Sequence, residues 1–316
     1  MSEPFLVGVI GARGHTGREL LRLISGHPEL MLAYAVSREY AGRPVSDIAP
    51  EDRDECVFEA LTPEKAAPRR ADAVFLATPD GASAPYIDAF EKEAPHRILI
   101  DLSADRRFDE GWAYGLPELF RSSITGKARI ANPGCYATAM QLIVHPLKDH
   151  LDGVPALFGV SGYSGAGTTP SPRNDPARLA DNLMPYGLVD HKHEREVSHH
   201  MGAPIRFFPH VHPAFSGLLV TAHVPLKDPL SADALKEIYA ARYADEKLIT
   251  LRNEPPELQD GAGARGVVIG GFAVSKDGRN AVVVAAEDNL LKGAAVQAIQ
   301  NLNLALGLPE LMGLVL

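Results

Sequence analysis

The chain reads as an α/β protein: a domain built on a parallel sheet with both faces covered, then a second domain with a mixed or antiparallel sheet and helices on one side. Three observations predict this. Short apolar runs alternate with helical spacing over the first 150 residues, which implies a parallel sheet covered on both faces. The later strand-like runs cluster together and include a hairpin signal, the texture of a mixed sheet. At 316 residues the chain is also longer than one core usually serves.

Residues 5–10 form the first strand candidate and run directly into Gly11-Ala12-Arg13-Gly14-His15-Thr16-Gly17. A helix with Leu20, Leu21, Leu23 and Ile24 on one side follows and stops at Gly26. Strand, glycine turn and helix is the context that a dinucleotide phosphate loop requires. Glycines admit the backbone to the pyrophosphate, and the helix N-terminus faces its charge. A second strand, 31–36, ends at Ser37-Arg38, where NAD-preferring sites place an acidic residue. A hydroxyl and a guanidinium suit a 2′-phosphate instead, so NADP is the expected cofactor. Residues 40–70 read as connections with one short strand. Strand 73–77 ends in Thr78-Pro79-Asp80-Gly81, helix 82–93 follows, and strand 97–101 leads to Ser103. Ligands bind at the carboxyl ends of parallel strands, so Gly11, Thr78, Ser103 and Asn132 are expected on one crevice.

At Asn132-Pro133-Gly134-Cys135 the backbone breaks and a helix of residues 136–147 begins. Cys135 then lies where unpaired amides and the positive end of the helix dipole favour thiolate, the nucleophilic form. Beyond it, strands are expected at 156–160, 217–224, 247–251, 267–274 and 281–286, with a hairpin turn at Lys276-Asp277-Gly278-Arg279. Ser231 is placed to cap a helix reaching Tyr243, residues 165–176 form a loop, and a last helix spans 294–306. His191-Lys192-His193 opens another helix. Imidazoles titrate near neutral pH, so His193 or His191 is the candidate acid/base. The surrounding histidines have no accompanying carboxylate or cysteine set with metal-ligand spacing, and no metal is expected.

The net charge of −9, carried by scattered acidic residues, argues against a nucleic-acid binder. Two cysteines give no disulfide framework, and Cys56 is assigned no role. No apolar run reaches membrane-spanning length and the N-terminus is not a signal peptide, so a cytoplasmic location is expected, with no membrane partner.

Taken in order, these motifs resemble the N-acetyl-γ-glutamyl-phosphate reductase family, in its shorter branch, within the aspartate-semialdehyde dehydrogenase superfamily. The resemblance rests on Gly11–Gly17, Asp101-Leu-Ser-Ala-Asp105, Tyr114-Gly-Leu-Pro-Glu118 and Asn132–Cys135. It continues through Ser161-Gly-Tyr-Ser-Gly-Ala-Gly167, His191–His193, Asp288-Asn-Leu-Leu-Lys-Gly293, Gln300-Asn-Leu-Asn303 and Gly307-Leu-Pro-Glu310. It implies NADPH-dependent reduction of N-acetyl-γ-glutamyl phosphate in arginine biosynthesis, through a thioester on Cys135, by a homodimer or homotetramer. The fold it implies is a Rossmann-like parallel-sheet domain plus an α+β substrate and oligomerisation domain, with the C-terminal helix returning to the first. The domains would be 1–136, with 293–316 returning, for NADP, and 137–292 for substrate and dimerisation. A histidine of the His191/His193 pair, His193 first, would handle the protons. The implied cofactor residues are Gly11, Arg13, Gly14, His15, Thr16, Gly17, Ser37, Arg38, Thr78, Ser103 and Asn289. Arg107, Asn132, Ser161 and Gly162 are the implied substrate contacts. The chain departs from the family pattern at Asp80, Ala137 and Arg195, where His, Pro and Pro are usual. A related acyl phosphate (aminoadipyl or aspartyl) and a non-catalytic NADP-binding regulator are the alternatives.

Overall fold

A computed structural model describes residues 3–50 and 55–314. Contacts divide the chain into two compact units, residues 1–133 with 294–316, and residues 134–293.

The first unit is built on a parallel sheet. Its strands are β1 (Phe5–Ile10), β2 (Leu30–Val36), β3 (Phe58–Glu59), β4 (Ala73–Leu76), β5 (Ile98–Asp101), β6 (Ala113–Tyr114) and β7 (Arg129–Ala131). They lie in the order β3-β2-β1-β4-β5-β7-β6, and every pairing in it is parallel. Each crossover carries apolar side chains onto the sheet. Ile10, Val36, Leu76 and Leu99 pack with Ile87 and Phe90 in one core cluster. The helices are α1 (His15–Ser25), α2 (Pro63–Ala66), α3 (Ala84–Glu93) and α4 (Pro117–Ile124).

The second unit holds a mixed sheet of β8 (Ala156–Gly162), β9 (Met184–Pro185), β10 (Arg206–His212), β11 (Leu218–Pro225), β12 (Ile249–Leu251), β13 (Val267–Val274) and β14 (Asn280–Glu287). Its order is β12-β13-β14-β11-β8-β10-β9. The β13–β14 hairpin closes through Lys276–Arg279 with Gly278 at positive φ. Packed with it are α5 (Cys135–Val144), α6 (Pro176–Leu179), α7 (Lys192–Met201), α8 (Ala232–Arg242) and α9 (Leu258–Gly261). Helix α5 lies on β11, β14 and α7, and every residue of it after Cys135 is buried. Ser231 caps α8 by accepting from the Ala234 amide at 3.1 Å. The chain then returns to the first unit, where α10 (Val296–Leu306) packs on α1, α4 and β5.

Three expectations shift. The helix expected to reach residue 147 ends at Val144, and His145–His150 tightens into a 3₁₀ turn around Pro146. Helix α4 was not anticipated, and its Phe120 departs from helical geometry. Strand β10 was also missed, because Pro209 sits in its middle. The Pro209 carbonyl accepts from the Tyr186 amide, so the missing N–H points the same way, towards a neighbour only two residues long.

Candidate active site

In the first unit, Gly11 closes the β1–α1 turn at φ +81°. Its amide and that of Ala12 both donate to the Val36 carbonyl, at 3.2 and 3.1 Å. A Cβ on Gly11 would lie 2.3 Å from the Ala77 carbonyl oxygen, and one on Gly17 2.5 Å from that of Gly11. Both positions therefore need glycine for close backbone approach. Gly14 is the N-cap of α1 and contributes no capping side chain. A helix N-terminus without a side-chain cap suits an anionic ligand. Burial, with Arg18 and Arg13 nearby, lowers the His15 pKa, so this imidazole is neutral at neutral pH.

At the end of β2, Ser37 is buried and its Oγ accepts from the Tyr40 amide at 3.2 Å, while Arg38 is exposed. Arg13 pairs with Glu39 at 3.1 Å. Arg18 donates to the Arg13 carbonyl at 3.0 Å and to the Tyr40 hydroxyl at 2.9 Å, and the Arg43 guanidinium lies 4.9 Å from the Tyr40 ring. Arg13, Arg18 and Arg43 thus gather around Glu39 and Tyr40, just beyond Ser37-Arg38 at the end of β2. Sequence reasoning named Arg13 and Arg38 and missed Arg18 and Arg43, whose common neighbour, Tyr40, appears only in three dimensions. Thr78, next to Gly11, has a buried Oγ1 with no hydrogen-bond partner among the described residues.

Other residues assigned to ligands are engaged within their own unit. Ser103 donates from Oγ to Asp101 Oδ2 at 2.8 Å and from its amide to Oδ1 at 3.0 Å. Asp101 is fully buried, and burial raises its pKa against those hydrogen bonds. Arg107, 6% exposed, donates to the carbonyls of Asn132 and Leu102, both at 3.0 Å. Asn132 donates to the Ala294 carbonyl at 3.3 Å and accepts from Asn301 at 2.9 Å. In the second unit, Ser161 Oγ donates to the Gly162 carbonyl at 3.1 Å. A Cβ on Gly162 would lie 2.6 Å from the Phe215 carbonyl oxygen. Asn289 accepts from the Gly217 amide at 3.0 Å and donates to Ser164 Oγ at 2.9 Å. These side chains are struts of the loops that were expected to touch ligand.

Cys135 is the first residue of α5 and is half-buried, the one residue of that helix that is not buried. Gly134, the N-cap, supplies no side chain; its amide donates to Glu196 Oε1 at 3.0 Å. Glu196 is 1% exposed and comes from α7, one turn beyond His193. Gly293 leaves room on another side, since a Cβ there would lie 2.7 Å from Cys135 Cβ. The two histidines differ in their work. His191 is the N-cap of α7, its Nδ1 accepting from the His193 amide at 3.2 Å. Burial, then Lys192 and Arg173, pushes the His191 pKa down to about 4, and the ring is neutral. His193 is buried, its ring 5.0 Å from His191 and 6.0 Å from Tyr136. Tyr136 donates to the His210 carbonyl at 3.0 Å. Burial raises the phenol pKa of Tyr136 and Tyr186. Arg173 covers the Tyr186 ring at 4.9 Å.

Comparison with known proteins follows this division. Residues 6–127 match the model of the semialdehyde dehydrogenase NAD binding domain, and residues 135–289 match that of the semialdehyde dehydrogenase dimerisation domain. An N-acetyl-gamma-glutamyl-phosphate reductase of Xylella fastidiosa (strain 9a5c) is 53% identical over 310 residues, covering 98% of this chain and 93% of its own. One from Xanthomonas campestris pv. campestris (strain B100) is 52% identical over 309 residues, covering 98% of each. The chain belongs to the N-acetyl-γ-glutamyl-phosphate reductase family. Its fold is also that of more distant structures. Aspartate semialdehyde dehydrogenase II from Vibrio cholerae, complexed with ASA, aligns at TM-score 0.74 and 18% identity over 97% of this chain and 99% of that one. The enzyme from Candida albicans with NADP aligns at TM-score 0.74 and 16% identity, over 95% and 99%.

Within the family, the departures at Asp80, Ala137 and Arg195 acquire local explanations. Asp80 Oδ1 accepts from the Ala104 amide at 2.9 Å. Ala137 is fully buried in α5 and Arg195 is exposed on α7, while Glu196, the acidic residue beside it, holds the Gly134 amide. Glu196, Tyr186 and Arg173 were not anticipated. The i, i+3 spacing of His193 and Glu196 on one helix face was the available signal for Glu196.

Proposed function

We infer that this chain reduces N-acetyl-γ-glutamyl phosphate to N-acetylglutamate semialdehyde and phosphate with NADPH, a step of arginine biosynthesis. The observation that carries the chemistry is the exposure of Cys135, alone in a buried helix, at that helix's first turn. Cys135 Sγ attacks the acyl carbon, the C–O bond to phosphate breaks, and a thioester remains on the sulfur. NADPH, when bound, supplies the hydride that reduces the thioester carbon. Imidazolium protonates the carbonyl oxygen as the hydride arrives; when the C–S bond breaks, its electron pair returns to Sγ and that same proton returns to the imidazole, leaving the aldehyde. His193 is the better candidate for that proton, since His191 Nδ1 is committed to capping α7.

The first unit fits NADP. The Gly11 and Gly17 cradle would be filled by a Cβ, α1 has no side-chain cap, and Thr78 Oγ1 lacks a partner. Gly11, Gly14 and Gly17 would admit the pyrophosphate, with His15 and Thr16 in the same turn. Arg13, Ser37 and Arg38, aided by Arg18 and Arg43, would hold the 2′-phosphate. Thr78 and Ser103 would line the same crevice. Asn289, Arg107, Asn132, Ser161 and Gly162 support the reading as scaffold for ligand-contacting loops. Residues 1–133 with 294–316 serve as the cofactor domain, and residues 134–293 as the substrate and dimerisation domain.

A homodimer or homotetramer is proposed through the exposed face of the second sheet. Phe158 and Phe208 stand side by side in register on β8 and β10, 41% and 39% exposed. No described helix is long and apolar enough to cross a membrane. The reducing cytoplasm, which keeps a nucleophilic thiol free, is the proposed location.

Mass spectrometry of the protein given acyl phosphate without NADPH tests the central claim. The expected result is an acyl adduct on Cys135, and Cys135→Ser should keep NADPH binding and lose nearly all turnover. An adduct on another residue, or substantial turnover in Cys135→Ser, would overturn it. Aspartyl and aminoadipyl phosphates run in parallel fix the substrate.

A further inference from the structure

We propose that Asp80 and Asp105 are positioning residues for the cofactor, clamping two loops together so that Thr78 is held ready to hydrogen-bond NADP. The proposal rests on the NADP reading of the first unit. Both loops leave the carboxyl ends of neighbouring strands, residues 77–83 after β4 and residues 102–107 after β5. Each loop grips a backbone amide of the other. Asp80 Oδ1 accepts from the Ala104 amide at 2.9 Å. The Gly81 amide donates to both oxygens of Asp105, each at 2.9 Å. Ser83 Oγ donates to Asp105 Oδ2 at 3.0 Å and to the buried Asp101 at 3.4 Å, which ties the clamp to the end of β5. Gly81 takes φ +82°, so the turn that aims its amide is one glycine adopts without strain.

Both carboxylates are exposed, so neither is held in place by burial. They act on what precedes them. Thr78 lies two residues before Asp80, and its amide nitrogen would be 3.2 Å from a Cβ on Gly11, against the glycine turn itself. Its buried Oγ1 has no hydrogen-bond partner among the described residues. A buried hydroxyl without a partner is costly, and a polar atom of the cofactor removes that cost. Fixing the hydroxyl beforehand spares the ordering that binding would otherwise require.

The test is NADPH affinity by fluorescence titration, with amide hydrogen exchange read on the same proteins. Asp80→Ala and Thr78→Val should each raise the NADPH Kd about threefold to tenfold, the range of one exposed charge-assisted or one neutral hydrogen bond. Asp80→Asn keeps an oxygen acceptor for Ala104 and should stay within about twofold of wild type. Because Asp80 acts through Thr78, the double variant Asp80→Ala/Thr78→Val should bind about as Thr78→Val alone does. Exchange at Ala104 should quicken in Asp80→Ala, and at Gly81 in Asp105→Ala, which should also weaken NADPH binding. Wild-type affinity in both alanine variants, multiplying losses in the double variant, or an Asp80→Asn as weak as Asp80→Ala would overturn the clamp. Wild-type protein that binds no NADPH would instead remove the NADP reading, and the clamp's purpose with it.

Discussion

Gly293→Ala should damage the nucleophile more than the fold. The added Cβ would sit 2.7 Å from Cys135 Cβ, 3.0 Å from Glu287 Oε1 and 3.2 Å from the Asp288 carbonyl oxygen. Ordinary contact begins near 3.4 Å, so the worst encounter is short by about 0.7 Å. The obstacles come from the start of α5, the end of β14 and the turn after it. Retreat in one direction therefore cannot relieve all three. Forced methylenes in a packed interior cost about 1–3 kcal/mol, which predicts a melting point lower by a few degrees. Cys135 opens a helix that is buried throughout the rest of its length, so the strain falls on its half-buried first residue. A displacement of about 1 Å at a reacting atom can cost on the order of 10²-fold. The expected loss in the rate of Cys135 acylation is therefore tenfold or more. Rapid-quench mass spectrometry with acyl phosphate and no NADPH reads that rate directly, and NADPH titration should be unchanged. Acylation at the wild-type rate would refute the reasoning, whatever happened to the melting point.

Three further outcomes are expected. Arg38→Ala should weaken NADPH binding about tenfold, the value of a charge-assisted hydrogen bond discounted for exposure, while NADH binding hardly changes; equal losses in the two titrations would show that Arg38 does not read the 2′-phosphate. The His191 pKa is pushed from 6.5 to about 4, so its contribution to stability is complete above pH 6.5 and lost as pH falls towards 4. Asn caps helices without titrating, so His191→Asn should flatten the urea midpoint across that window by about 1–2 kcal/mol after allowance for the ring's partial exposure; parallel curves for variant and wild type would contradict the assignment. Phe158→Glu should drive the protein towards a species of about 34 kDa in light scattering, and a wild-type protein already of that size at micromolar concentration would remove the proposed sheet-face interface.

Features set by adjacent residues were legible in the sequence, and features set by distant partners were not. Gly11, Gly14 and Gly17 announce a turn because the conformation they allow is a property of those residues. The same holds for Cys135 after Pro133-Gly134, and for Ser231, whose cap reaches only to Ala234. Asn289 is different. Its amide is divided between Gly217 and Ser164, 72 and 125 positions away in the chain, and no local pattern encodes that. Asn132 meets Asn301 across 169 positions, and Arg107 spends its guanidinium on two backbone carbonyls. Each lies in a motif of the family, so resemblance placed it near ligand. The structure adds hydrogen bonds from each of these side chains to chain-distant groups of its own unit. Strand β10 was hidden for the opposite reason. Pro209 argues locally against a strand, and the two-residue length of β9 is what makes it tolerable.

The two histidines show how geometry divides a motif that the sequence presents as a pair. In His191-Lys192-His193 either ring could serve as acid or base by residue type alone. The helix begins between them. His191, just outside, turns Nδ1 onto the amide of His193, so a proton on that nitrogen would break the cap. Its neutral ring therefore carries its hydrogen on Nε2. His193 lies inside the first turn, and Glu196 follows it by one turn to hold the amide just before Cys135. One helix thus carries a histidine that starts it, a second histidine inside its first turn and a carboxylate that holds the turn before Cys135. Loss of His193 should consequently lower turnover by about 10²–10⁴-fold. Loss of His191 should appear first in how the second unit withstands acid. A pair whose two Asn variants behaved alike would mean that the cap does not separate their roles.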